Sequence, residues 1–308
     1  MKQDKAEVRI GISGWRYAPW RGDFYPEGLT QKDELRFASR AVSSIEINGS
    51  FYSLQTPERY ANWYADTPQG FVFSVKAPRF ITHVRRLVDV EKPVANFFAS
   101  GVLRLGEKLG PILWQFPPSF RFVPETFARF LDLLPHDTAA ALQTARGHDA
   151  RMEGRSHLEI DCNRRLRHAV EIRNQSFVDP AFVALLREHQ VALVVADTAG
   201  KWPYREDLTS DFVYIRLHGA DELYTSGYTP AALDRWCERI DRWRSGGQPD
   251  DAELIEPREA DGNPRQVYCY FDNDVKVRAP YDARGLLHRL GLDEGLETTP
   301  GRLEGAFA

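Results

Sequence analysis

Short, mostly apolar runs that end in polar residues recur eight times along the chain, and segments of helical character separate most of them. Such runs predict buried strands, and their alternation with helices predicts a parallel sheet. The runs are Val8–Ser13, Ser44–Asn48, Phe71–Lys76, Pro111–Gln115, Ala169–Arg173, Val191–Asp197, Phe212–His218 and Gln266–Asn273. Eight strand–helix units are typical of a (β/α)8 barrel, which carries its chemistry at the carboxyl ends of the strands. We therefore predict the α/β class and a TIM-type (β/α)8 barrel, in a single domain over residues 8–290.

Capping residues and prolines indicate where some of the intervening helices begin and end. Thr56 is a suitable N-cap for a helix that Pro57 begins. Residues 93–109 are predicted to form one helix, which Gly110-Pro111 would end.

Three segments fall outside the barrel pattern. Residues 136–167 are polar and rich in Arg and His, and residues 245–264 carry six acidic side chains and one arginine, so we predict that both are surface insertions. Residues 291–308 are predicted to be a flexible C-terminal tail. Because the acidic insertion accounts for the formal net charge of −4, the rest of the chain need not repel an anionic ligand.

Polar side chains near the ends of four predicted strands share one face. Side chains alternate along a strand, so Glu46 and Asn48 lie on one face and the neighbouring isoleucines on the other. The same alternation pairs Glu171 with Arg173, Arg216 with His218, and Ser74 with Lys76. Apolar side chains suit the helix-covered outside of a barrel, so these polar side chains are predicted to face its interior.

These positions supply candidate site residues. The catalytic candidates are Glu46 and Glu171, as general acid or base, and His218, as a proton shuttle near neutral pH. The candidates for substrate binding are Trp15, Asn48, Lys76, Gln115, Arg173, Asp197, Arg216 and Asn273.

Each candidate also has a purely structural interpretation. The carboxylates and cations can neutralise one another in a satisfied polar network. Asp197 can cap a helix, and Gln115 or Asn273 can hold a loop by hydrogen bonds. The aromatic loop that contains Trp15 can stack on a ligand or pack as a hydrophobic lid. His83, in the loop after the third strand, is open to both interpretations.

Cysteine usage and hydropathy bear on the location of the protein. No apolar run reaches the ~18 residues of a membrane-spanning helix, and the N-terminal residues lack the apolar core of a signal peptide. The three cysteines have no metal-ligand spacing, and an odd number suits a reducing compartment better than a disulfide framework. We expect a cytoplasmic protein with no membrane contact, and the sequence predicts no oligomeric state.

A set of motifs resembles one protein family. The motifs are Ile10–Tyr17, Trp20–Pro26, Glu46–Tyr52, Phe73–Ala77, Ile81–His83, Leu113–Pro117, Glu171–Arg173, Tyr214–Gly219 and Tyr270–Asn273. With them the chain resembles the YecE-like family, also called domain of unknown function 72, over roughly residues 8–290. The resemblance implies a TIM-type barrel and no established reaction. Many relatives are expected to have paired asparagines near the eighth strand, and because this chain has Asp272 beside Asn273, only Asn273 is carried over.

Three functions are compatible with these observations. The first, which we favour, is an enzyme that acts on a small anionic or phosphorylated substrate by carboxylate acid–base chemistry. The second is a nucleic-acid-binding or phosphodiesterase-like protein that resembles the endonuclease IV barrel, and the third is a barrel that binds a small ligand without chemistry. Whether the protein is an enzyme is left open by the sequence.

The charges among the site candidates favour an anion over a metal ion. Lys76, Arg173 and Arg216 lie among the carboxylates, and a cation among the ligands opposes the binding of a divalent metal. We therefore predict no metal and no cofactor, with a small anionic molecule as the partner and nucleic acid as the alternative.

Overall fold

The computed structural model describes residues 5–219 and 223–303, and its eight parallel strands close a barrel in the order of the sequence. The strands are β1 (Val8–Ser13), β2 (Ser44–Ile47), β3 (Val72–Lys76), β4 (Leu109–Gln115), β5 (His168–Glu171), β6 (Ala192–Asp197), β7 (Phe212–Leu217) and β8 (Gln266–Phe271). Barrel closure places β8 beside β1, with Ile12 opposite Phe271. The predicted TIM-type (β/α)8 barrel is confirmed.

Helices follow the strands through most of the chain. Within the described residues the α-helices are α1 (Glu34–Ala41), α2 (Gly49–Tyr52), α3 (Pro57–Asp66), α4 (Glu91–Ala99), α5 (Pro124–Asp132), α6 (Thr138–Arg146), α7 (Pro180–Glu188), α8 (Pro230–Arg244) and α9 (Arg278–Arg289). Thr56 caps α3 as predicted, because its hydroxyl accepts a hydrogen bond from the Arg59 amide and Pro57 occupies the first turn.

The prediction of one helix over residues 93–109 is wrong. The helix α4 ends at Ala99, and a 3₁₀ segment, Val102–Lys108, follows it. Gly101 separates the two with a left-handed φ of 103°, a backbone conformation that favours glycine. Gly110 and Pro111 lie inside β4 and do not end a helix.

Four strands end earlier than predicted, so four candidate site residues lie in loops. Asn48, Arg173, His218 and Asn273 follow the last residues of β2, β5, β7 and β8. Asp197, by contrast, is the last residue of β6. The alternation of side chains along a strand therefore fixes the orientation of Glu46, Glu171 and Arg216, but not that of the residues beyond the strand ends.

Contacts divide the chain into two compact units. We call Ile47–Val191 the central unit and the residues on either side of it the flanking unit. The core of the central unit is rich in aromatic side chains, and Phe177 lies within ring-contact distance of both Phe127 and Phe182. The core of the flanking unit includes fully buried residues of β1 and β7 such as Ile10 and Ile215.

Residues 136–167 contain α6 and a short 3₁₀ turn, Ala150–Met152, joined by loops. On α6, Ala141 and Ala145 are buried, so this helix packs within the central unit through its small residues.

The acidic insertion and the tail are both attached to the flanking unit. In the insertion, the amides of Glu253 and Ile255 donate to the carboxylates of Glu206 and Asp207 at 3.0 and 2.8 Å. In the tail, the amide of Gly301 donates to a backbone carbonyl at 3.0 Å. The last part of the tail, residues 304–308, lies outside the described residues. No helix among the described residues is long and apolar enough to cross a membrane.

Candidate functional site

Arg216 is the centre of a buried ion network in the flanking unit. Its side chain is fully buried near the end of β7. The guanidinium Nη2 lies 2.9 Å from Glu46 Oε1 and 2.9 Å from Asp272 Oδ2, and Nε donates to Glu46 Oε2 at 3.1 Å. A desolvated guanidinium requires such partners, so one cation joins a carboxylate of β2 to a carboxylate of the loop after β8.

Two hydroxyl groups complete the surroundings of Glu46. Tyr214 donates to Glu46 Oε2 at 2.7 Å, and Ser13 donates to Oε1 at 2.6 Å. Together with Arg216 these donors satisfy both oxygens of a carboxylate that is fully buried. The geometry suits an ionised carboxylate that fixes the position of Arg216, and it favours the structural interpretation of Glu46 over a role as general base.

His218 lies directly after β7 and is also fully buried. Its Nδ1 lies 3.0 Å from Asp272 Oδ2, and its Nε2 lies 3.3 Å from Nη1 of Arg216. With the ring proton on Nδ1, Nε2 accepts from the guanidinium, and Nδ1 faces the Asp272 carboxylate at ion-pair distance. A proton on Nε2 would face a cationic donor, so in this arrangement His218 orients Asp272 and Arg216 rather than exchanging protons at Nε2.

Asp274 is a candidate that the sequence analysis missed. It is half-buried in the loop after β8, and its backbone carbonyl accepts a hydrogen bond from Trp20 Nε1 at 3.0 Å. Burial and the nearby charge of Asp272 raise the pKa of the Asp274 carboxyl to about 6, although Tyr17 and Arg216 act in the opposite direction. An acid of this kind beside an ion-paired carboxylate is the usual arrangement when two carboxyl groups take different roles in catalysis.

Replacing Asp274 with asparagine is expected to stabilise the protein near pH 8 and to leave it unchanged near pH 4. The folded protein keeps the proton up to a pKa of about 6, whereas the ordinary value is 3.8. The free energy of unfolding therefore falls as the pH rises from 3.8 through 6. Asparagine has no proton to lose in this range, so the variant does not show that fall. The gain, about 1 kcal/mol after allowance for solvent exposure, is measurable by urea unfolding at both pH values. A variant that is less stable near pH 8 would contradict the raised pKa.

The remaining candidates of the flanking unit hold loops. Asp197 Oδ2 accepts from the Tyr228 hydroxyl at 3.0 Å, and burial raises the pKa of the Asp197 carboxyl. Asn273 donates through Nδ2 to Asp282 Oδ2 at 2.8 Å. Trp15 is buried, and its backbone carbonyl accepts from a tyrosine hydroxyl of its own loop. These contacts agree with the purely structural role that the sequence analysis gave as the alternative for each residue.

In the central unit, Lys76 and two loops meet around one aromatic ring. Lys76 Nζ lies 4.4 Å from the centroid of the Phe51 ring, a cation–π contact. The His83 ring stands edge-on to the same ring at 5.1 Å. The backbone of Lys76 is held as well, because its carbonyl accepts from the Ser50 hydroxyl at 2.6 Å. Phe51 therefore brings the end of β3 together with the loops that follow β2 and β3.

His83 lies in an environment that opposes positive charge. Burial, together with the charges of Arg79, Lys76 and Arg173, lowers the pKa of its imidazole to about 4, and Glu171 acts in the opposite direction. Its Nδ1 lies 2.8 Å from the hydroxyl of the preceding threonine. His83 is therefore neutral at physiological pH. The charges that act on its imidazole are three cations and one carboxylate.

Glu171 and Arg173 form an ion pair after β5. The Nε group of Arg173 donates to Glu171 Oε1 at 2.7 Å, and Glu171 is fully buried. Gln115 ends β4 directly opposite Glu171 in the parallel register, and it is buried too. Asn48 is half-buried and lies at the start of α2 without capping it.

The candidate residues form two groups, one in the flanking unit and one in the central unit. Glu46, Arg216 and His218 are joined in the flanking unit, and in the central unit Lys76, Glu171 and Arg173 all act electrostatically on the pKa of His83. Across residues 5–219 and 223–303, no group of three or more His, Cys, Asp or Glu side chains has an arrangement that would hold a metal ion.

Comparison with known proteins matches the chain to a protein family. The family described as "Protein of unknown function DUF72" matches residues 9–303. UPF0759 protein YecE of Escherichia coli O157:H7 is 25% identical over 245 residues, which are 79% of this chain and 84% of YecE. UPF0759 protein YunF of Bacillus subtilis is 27% identical over 183 residues, so the match spans 57% of this chain and about half, 54%, of YunF.

Two solved structures share the fold. The crystal structure of a DUF72 family protein from Thermotoga maritima has a TM-score of 0.69 at 23% identity, over 92% of this chain and 99% of that one. A DUF72 family protein from Enterococcus faecalis has a TM-score of 0.64 at 20% identity, over 92% of this chain and 96% of its own. At these identities the likeness shows the barrel alone.

Proposed function

Because the chain belongs to the DUF72 family of unknown function, we propose from the geometry of its own residues that it is an enzyme that acts on a small anionic or phosphorylated substrate. The observation that carries this proposal is the cationic environment of His83. Three cations act on this neutral imidazole against one carboxylate. An imidazole without charge lets a phosphate approach Lys76 and Arg79, because it can donate or accept a hydrogen bond.

The acid–base part of the proposal rests on the carboxyl groups. In the central unit, Arg79, Lys76 and Arg173 act on His83 and are called here the cationic cluster. Glu171 is a buried carboxylate that acts on the same imidazole, and this supports the role of general base. Asp274, with a pKa of about 6, belongs to the flanking unit, and the proposal makes no use of it. Glu46 and His218 support the proposal less, since both oxygens of Glu46 and the Nε2 of His218 already have partners within the ion network.

The nucleic-acid alternative receives less support from the arginine-rich insertion. Arg151 pairs with Asp149 at 3.0 Å, and Arg164 pairs with Asp161 through both of its terminal nitrogens. Charges that are paired on the protein surface release fewer counterions on binding a phosphate backbone. The insertion therefore has the character of a solvated surface.

Inorganic phosphate is expected to bind the central unit and to raise the pKa of His83. The folded protein holds this pKa at about 4, and a dianion among the cations would move it upward, towards the ordinary value of His. Replacing Lys76 with methionine should weaken phosphate binding by at least about tenfold, because a charge-assisted hydrogen bond is lost. Calorimetry measures the affinity, and NMR of the imidazole C–H resonances measures the titration of His83.

A matched control separates the site from general electrostatics. Lys32→Met removes one exposed lysine of the flanking unit and should leave both phosphate binding and the His83 titration unchanged. The folding of each variant is checked by its unfolding transition. Phosphate binding that is equally weakened by both variants, or a His83 pKa that phosphate does not move, would remove the support for the proposal.

A further inference from the structure

The cationic cluster around His83 has exposed aromatic side chains beside it. Tyr52 at the end of α2 is 73% exposed, and Phe80 in the loop after β3 is 40% exposed. The Tyr52 ring stands edge-on to the Phe51 ring, with 5.2 Å between centroids. Phe51 is thus in contact with an exposed aromatic ring and also with Lys76. An aromatic face open to solvent beside a phosphate-binding cation is a surface that takes flat rings carrying a phosphate.

The loop that carries Phe80 and His83 has an unusual and fixed backbone. Residues Phe80–Val84 form a π-helical turn, a conformation that is frequent at functional sites. Arg86 and Leu87 follow with left-handed φ values of 51° and 65°, which are strained for residues with side chains.

Side-chain contacts keep this loop in place. The guanidinium of Arg86 donates to the hydroxyl and the carbonyl of Ser119 at 3.0 and 2.9 Å, and it covers the Phe120 ring at 5.4 Å. The strain of the loop is therefore held by the structure around it, as expected of a preorganised ligand site.

We propose that the substrates of this site are phosphate esters that carry an aromatic ring, of the nucleoside monophosphate class, with the ring stacked on Tyr52 and the phosphate held by Lys76 and Arg79. This inference rests on the proposed function, because it uses the same cations. Tyr52 would bind the ring of such a molecule and Lys76 its phosphate. Both side chains are neighbours of Phe51, so both lie within the length of one nucleotide. The sugar then lies over Phe51, between the two.

Four probes separate the ring from the phosphate in a calorimetric titration: inorganic phosphate, ribose 5-phosphate, adenosine and adenosine 5′-monophosphate. We expect the nucleotide to bind at least about tenfold more tightly than ribose 5-phosphate, the size of one stacking interaction. In Tyr52→Ala the nucleotide should bind only as well as ribose 5-phosphate, and in Tyr52→Phe it should bind as in the wild type. Both variants should bind inorganic phosphate normally. Tyr281→Ala, at an exposed tyrosine of α9, is the matched control and should change nothing.

The failures of the two proposals are distinguishable. A nucleotide that binds no better than ribose 5-phosphate, while phosphate itself binds through Lys76, overturns the ring-bearing substrate and leaves the anion site. Absence of binding by all three phosphates overturns both proposals. Binding of a single-stranded oligonucleotide far more tightly than the mononucleotide, with a steep dependence on salt, overturns the small substrate in favour of a nucleic acid.

Discussion

Replacing Arg216 with methionine is expected to lower the free energy of unfolding by about 3–5 kcal/mol, the usual result of breaking a buried ion pair from one side. In the variant Glu46 is fully buried without its cation, and Asp272 also loses its ion pair with Arg216. Tyr214 and Ser13 still donate to Glu46, but two neutral donors do not offset the loss of a guanidinium. Methionine fills part of the volume, so the cost comes mainly from the unpaired charge and not from a cavity.

Urea unfolding at neutral pH measures this cost, and an exposed pair provides the control. Lys5 and Asp241 lie 2.7 Å apart with 48% and 41% of their side chains exposed, so Lys5→Met should cost less than about 1 kcal/mol. Equal stability of the two variants would mean that the network around Arg216 contributes nothing to folding.

The sequence predicts the barrel and the side chains on its strands because both depend on simple periodicities. Eight apolar runs correspond to eight strands, and the alternation along β2 and β7 predicts that Glu46 and Arg216 point the same way. These two residues form a direct ion pair. A strand leaves little freedom to its side chains, so for residues such as these the sequence is a sufficient guide.

Loop residues are a different case, since their side chains depend on backbone conformations that no periodicity encodes. Asp274 has a raised pKa only because the loop after β8 places it near Asp272 and buries part of it. The residues after the π-helical turn that have left-handed φ values are not glycines, so the sequence does not indicate their conformation. Phe51 and Tyr52 have the same sequence character, yet one is buried and the other is exposed. The parts of the candidate site outside the strands are therefore those that the sequence alone does not predict.

Replacing Glu171 with leucine is expected to destabilise the protein by about 3–5 kcal/mol, whereas replacing it with glutamine should leave the fold intact. Leucine takes the carboxylate from Arg173, whose side chain is only 9% exposed. Glutamine keeps an oxygen that can accept from Nε of Arg173, so only the charge of the ion pair is lost. Urea unfolding of the two variants compares these costs directly. A leucine variant with the wild-type unfolding midpoint would show that the ion pair does not stabilise the fold.

The glutamine variant also separates a binding role of Glu171 from a catalytic one. Glu171 is the carboxylate that raises the pKa of His83. Its neutralisation should therefore lower that pKa below about 4 and tighten phosphate binding by about fivefold, the effect of removing one like-charge interaction of roughly 1 kcal/mol. If Glu171 is the general base, the same variant should lose turnover of a phosphorylated substrate by at least about a hundredfold. Tighter binding together with lost turnover is the result expected of a catalytic carboxylate in an anion site. Weaker phosphate binding would instead show that Glu171 does no more than position Arg173 for the anion.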